Sequence, residues 1–139
     1  MTAKEYLRQI GILDAKINRR LKQVEELKTL ATSTGSLMPG GKVQTSPAGD
    51  KMSAIVSRWI DLEKEIIPMI DDLVDLKNKI IGEIHQLEDE RYIRILEMRY
   101  VDQESWQHIA DIMHLDIRHI FRLHGYALQE FAKRVIECQ

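Results

Sequence analysis

Cysteine is nearly absent. Cys138 is the only one in 139 residues, so no disulfide can close within the chain, and a reducing, cytoplasmic compartment is the simplest expectation. Proline occurs three times and glycine seven times, and most of these fall together between Gly35 and Gly49. The rest of the chain has few breakers and much Leu, Ile, Glu and Lys, which predicts an all-α protein. Aromatics are scarce, at 6%. No apolar run is long enough to span a bilayer, and Met1-Thr2-Ala3-Lys4-Glu5 lacks the apolar core of a signal peptide, so no membrane contact is expected. No glycine-rich phosphate loop is complete, since Gly40-Gly41-Lys42 stands alone, and no nucleophile–base pair stands out. An enzyme is not expected, and no cofactor is implied.

The net charge of −2 conceals three blocks. Residues 1–51 carry nine Lys/Arg against five Asp/Glu, residues 52–90 carry four against ten, and residues 91–139 carry seven of each. In the basic block, Tyr6, Leu7, Ile10, Leu13, Ile17, Leu21, Val24, Leu27 and Ala31 recur at steps of mostly three and four, which predicts one amphipathic helix from Thr2 to Ala31. Thr2 with Glu5 three residues on is the pattern of a capping box. In the acidic block, Ile55, Trp59, Leu62, Ile66, Met69, Leu73, Leu76 and Ile80 alternate steps of four and three, a heptad seam starting near Asp50. Pro68 predicts a kink or local break there. The Gly/Pro/Ser/Thr-rich stretch 32–50 reads as the connecting loop. A basic and an acidic apolar-striped helix joined in this way predict a long antiparallel, coiled-coil-like hairpin over 1–87. The second stripe is long enough to serve a second copy, so a homo-oligomer is expected, a dimer first.

Residues 88–139 form the second expected domain. A helix with Tyr92, Ile95, Leu96, Met98, Arg99 and Tyr100 leads to a break at Val101–Glu104. Ser105 then caps a short helix with Ile109 and Met113 facing inward and the small Ala110 where another helix can cross closely. Leu115 fills the turn, Asp116 caps the next helix, and Ile120 and Leu123 lie on its inner face. This is the pattern of a helix-turn-helix.

The run Ile109-Ala110-Asp111-Ile112-Met113-His114-Leu115-Asp116 resembles the I-A-x-x-L-G-I-S run of region 4 of bacterial sigma factors and of response-regulator C-terminal domains. Ile120 stands where those proteins carry valine. Over most of its length the chain is similar to small phage late-transcription regulators of the ArpU/RinA type. That likeness is carried by Val43-Gln44-Thr45-Ser46 with Asp50-Lys51-Met52, by Asp75-Leu76-Lys77, by Met98-Arg99-Tyr100, and by Leu123-His124-Gly125 with Ala127-Leu128. The resemblance implies a phage or prophage transcription regulator that binds promoter DNA and contacts RNA polymerase. One departure is His114, which stands at the usual turn glycine, a position that often needs positive φ.

In such motifs the second helix enters the major groove of double-stranded DNA. Here that recognition helix is expected over about 116–128. Its outward residues are Ile117, Arg118, His119, Phe121 and Arg122, with Arg118 and Arg122 four apart on one face. Arginine reads guanine bidentately or grips phosphate, His119 can donate to either, and Ile117 and Phe121 suit thymine methyls. Ser105 and Gln107 are candidate phosphate contacts at the first helix, and Lys133 and Arg134 are backbone contacts beyond the groove. From Ile117 to Leu128 there are two arginines, two histidines and no acid, although residues 91–139 as a whole are neutral. His108, His114, His119 and His124, spaced six, five and five apart, lack metal-ligand spacing, so no metal is expected. Two other readings fit the same pattern: a small-terminase-like packaging adaptor, which would form a large ring, and a protein-interaction module using Phe121 and Ile117.

Overall fold

A computed structural model describes residues 1–36 and 47–138. These residues are all-helical, with two long helices among them. None of these helices is long and apolar enough to cross a membrane.

Thr2 opens α1 (Ala3–Leu7) with the expected capping box: its hydroxyl accepts from the Glu5 N–H at 3.1 Å, and the Glu5 carboxylate accepts from the Thr2 N–H at 2.9 Å. A turn at Arg8 separates α1 from α2 (Gln9–Ser36), so the single helix expected from Thr2 is divided there. α2 also runs five residues past Ala31. At its end the Thr32 hydroxyl donates to the Lys28 carbonyl at 3.0 Å, which lets a β-branched polar residue sit inside a helix instead of ending it. α3 (Pro47–Ile84) starts three residues earlier than expected, with proline in the first turn, where its missing N–H has no helical partner to lose. The middle of the expected loop, 37–46, lies outside the described residues, as do Gly40–Lys42 and Val43–Ser46.

α3 passes Pro68 without a break. Pro68 is exposed, so the Lys64 carbonyl that loses its N–H partner can turn to water.

The chain divides into two compact units, Ala15–Asp72 and Met1–Asp14 with Leu73–Gln139, and α2 and α3 contribute to both. In the first, Ile17, Val24 and Ala31 of α2 and Leu62 and Ile66 of α3 are buried. Arg20 meets Glu65 at 3.5 Å and Lys28 meets Glu63 at 3.2 Å, with the Lys28 ammonium 5.9 Å from the Trp59 ring centroid. Later residues of α2 thus meet earlier residues of α3, so this helix pair is antiparallel. The basic and acidic blocks do face each other. Exposed pairs of this kind contribute about 0–1 kcal/mol each, so they select register more than they stabilise it.

The second unit holds α1, the start of α2, the end of α3, and α4 (Glu90–Leu96), α5 (Trp106–Met113) and α6 (Ile117–Phe131). α4 and α6 each continue into a wider π turn. In these turns the Asp102 N–H reaches the Glu97 carbonyl at 2.9 Å and the Glu137 N–H reaches the Ala132 carbonyl at 2.8 Å, five residues back in each case. α4 shares two cores. Ile93 and Leu96 pack with Tyr6, Leu7, Ile10, Ile80, Ile84, Ala127 and Phe131. Ile95, on its other side, packs with Ile109, Ala110, Ile120 and Leu123. The Tyr6 hydroxyl donates to the buried Glu83 carboxylate, and burial followed by this bond raises the Tyr6 pKa. The Tyr6 ring lies 5.9 Å from that of Phe131.

Candidate nucleic-acid interface

Local chemistry fixes both ends of α5. The Ser105 hydroxyl accepts from the His108 N–H at 3.1 Å, satisfying one of the free donors of the first turn. The helix stops at His114, whose φ of 55° and ψ of 42° lie in the left-handed region. The Leu115 N–H then reaches back to the Ala110 carbonyl at 3.1 Å, the six-to-one closure of a Schellman-type stop. Histidine therefore occupies the conformation that a glycine would take most easily. Asp116 opens α6, its carboxylate accepting from the Arg118 N–H at 3.1 Å.

Packing then orients the two helices. Ala110 is 3% exposed, and Ile109, Ile120 and Leu123 are buried with it. The inner face of α6 continues through Ala127 and Phe131. Arg118, Phe121, Arg122 and Gly125 are exposed, and His119 is half-buried. Neither the Arg118 nor the Arg122 guanidinium has an ion pair or side-chain hydrogen bond among the described residues. Two free cations four residues apart on a helix with no acid before Glu130 can grip an anion or read an acceptor-rich edge.

The other expected site residues divide. Ile117 is half-buried and packs against Ile120 and its neighbours, so it is less outward than its position suggests. Ser105 is exposed, with its hydroxyl used in the cap. Gln107 is exposed and donates to Asp111 at 3.0 Å, within α5. Lys133 is exposed. Arg134 is tied down: Nε donates to Glu130 at 2.5 Å, Nη1 to the Gln86 carbonyl at 3.1 Å, and Nη2 lies 3.2 Å from Glu88. It fastens the end of the chain to the segment between α3 and α4.

An aromatic cluster that the sequence did not reveal supports α6. Phe121, 47% exposed, meets the edge of Trp106 at 5.4 Å between ring centroids and 78° between planes. Trp106 also meets His124 at 4.5 Å, and the Arg99 guanidinium lies 4.5 Å from its ring while donating to the Glu104 carbonyl at 2.9 Å. His124 is buried and shares a 2.7 Å hydrogen bond with the Tyr100 hydroxyl. Burial, followed by the charges of Lys4 and Arg99, depresses the His124 pKa to about 4. His124 is therefore neutral near pH 7, and of the two histidines expected to add positive charge to this helix only His119 is at the surface. No three histidines, cysteines or carboxylates gather as a metal site among the described residues.

Comparison with protein-family models, with curated proteins and with solved structures gives no match.

Proposed function

We propose that the chain is a DNA-binding transcription regulator of phage type, with α5 and α6 as a helix-turn-helix and α6 lying in the major groove. The observation that carries this reading is the pairing of Arg118 and Arg122 on α6, exposed and unpartnered among the described residues, with a buried Ala110 where α5 and α6 pack. The caps at Ser105 and Asp116 and the left-handed His114 support it, because they fix a short helix, a tight turn and a second helix in the order that such motifs need. The resemblance to sigma region 4 adds RNA polymerase as a partner. Phe121 favours a second reading: a half-exposed aromatic on the outer side of α6 also suits a protein surface.

Fluorescence anisotropy with a library of duplexes tests both. Binding should weaken as salt rises, with a slope of about −0.9 per phosphate contact in a plot of log affinity against log salt. Arg118→Ala/Arg122→Ala should weaken it about 5- to 150-fold per arginine, given about 1–3 kcal/mol for a bidentate base contact. Phe121→Ala should change affinity mainly for sites with thymine under α6. Unchanged binding by the double arginine variant would remove α6 as the reading helix. Absence of DNA binding by the parent chain, with capture of RNA polymerase lost in Phe121→Ala, would favour the protein-interaction reading.

A further inference from the structure

The unit Ala15–Asp72 presents an apolar face that its own helix pair does not bury. The inner seam of α3 there is Ile55, Trp59, Leu62, Ile66 and Met69, all buried or half-buried. One residue past each of the last four stand Ile60, Glu63, Ile67 and Ile70, about 100° further round the helix. Ile60, Ile67 and Ile70 are 41%, 62% and 42% exposed. α2 matches this: Leu21, expected on the buried stripe, is instead 43% exposed, and it and Lys28 each stand one residue past the half-buried Arg20 and Leu27. The Lys28–Glu63 pair at 3.2 Å shows that these shifted positions lie on the same side of the hairpin. Leu21, Ile60, Ile67 and Ile70 therefore share one face, at heptad spacing along α3, and no charged residue interrupts it between Ile67 and Ile70.

We propose that this face is the interface to a second copy of the chain, with the two α3 helices crossing antiparallel. Charge selects the occupant. Lys64 and Asp71 flank the stripe, four residues after Ile60 and Ile67, and both are exposed without an ion pair among the described residues. In an antiparallel pair with Ile67 of one copy opposite Ile70 of the other, Lys64 of each copy stands within about 3 Å along the axis of Asp71 of its partner. The two-fold axis makes this contact twice. A parallel pair in register would level Lys64 with Lys64 and Asp71 with Asp71. The stripe and its flanks are thus self-complementary in one direction only. The proposal does not depend on the nucleic-acid reading.

Sedimentation equilibrium of the full chain through the micromolar range tests it. A monomer–dimer equilibrium is expected. Ile67→Glu/Ile70→Glu should abolish the dimer while the helical circular dichroism stays, because both side chains are exposed in the monomer. Lys64→Glu alone or Asp71→Lys alone should weaken association up to about tenfold, as two flank pairs turn from attraction to repulsion. Lys64→Glu/Asp71→Lys should restore it. The charge cycle stands even if the double isoleucine variant folds poorly. A chain that stays monomeric throughout leaves the face to residues 37–46 or to a different protein and overturns the proposal. So does a dimer indifferent to Ile67→Glu/Ile70→Glu, or a charge reversal that fails to restore pairing.

Discussion

His124 joins the chemistry of α6 to its packing. A buried imidazole whose pKa falls from about 6.5 to about 4 resists protonation in the folded chain but not in the unfolded one. The unfolded state therefore binds more protons between those two values, and stability rises with pH across that window. The contribution is fully present above about pH 6.5, falls as the pH drops towards 4, and levels off below that, where both states carry the proton. The full loss is about 3 kcal/mol at most. Urea midpoints at pH 7.5, 5.5 and 4.5 measure it. The parent chain should lose stability progressively over this range. His124→Gln, which can keep a hydrogen bond to the Tyr100 hydroxyl but cannot take a proton, should lose distinctly less between pH 6.5 and 5. An equal slope in both proteins would mean that the imidazole is not shielded. The sequence could not reveal this state. His124 follows the inner-face Ile120 by four residues, but only the packing of Trp106 and Tyr100 shows that it is a neutral core group.

At the scale of the element, the legible features were those encoded within a few residues. Thr2 with Glu5, Ser105, and Asp116 named three helix starts correctly, because a cap is a contact between near neighbours. The left-handed stop at His114 was legible through the resemblance, which places a turn glycine at that position. Helix ends without such contacts were misjudged: α2 outlasts Ala31 and α3 precedes Asp50, since propensity alone sets a weak boundary. Pro68 is expected to kink or locally break α3 without ending it, and the helix does run on through it without a break, which gives a prediction. The backbone at position 68 is helical, the Lys64 carbonyl lacks its donor, and the proline is exposed, so nothing packed depends on the ring. Pro68→Ala should restore that bond, relieve the clash with the preceding turn, and stabilise the chain by about 1–3 kcal/mol. Thermal denaturation followed at 222 nm measures it. A lower midpoint would show that the proline supplies a bend that the hairpin needs.

For the molecule as a whole, the least legible fact is where α1 belongs. Periodicity assigns Tyr6, Leu7 and Ile10 to an apolar face but not to a partner, and the charge blocks pointed only to the acidic helix. The structure packs these residues with Ile80 and Ile84 of that helix, as expected, and also with Leu96, Ala127 and Phe131, the support on which α6 rests. Nothing near Leu7 in the sequence announces its contacts with α4 and α6, because long-range packing depends on shape filled jointly by five elements. The energetic consequence can be measured separately for each unit, since Trp59 lies in one and Trp106 in the other. Leu7 is fully buried, so Leu7→Ala removes a core side chain at a cost of about 2–5 kcal/mol. With Trp59→Phe as the background, only Trp106 fluoresces, and its denaturation midpoint should fall by the amount that corresponds to that cost. With Trp106→Phe as the background, Trp59 should report a smaller shift if the two units unfold separately, and the same shift if they unfold together. In either case α1 is a structural member of the candidate DNA-contacting half. A Trp106 transition untouched by Leu7→Ala would instead leave α6 supported by α3, α4 and α5 without α1.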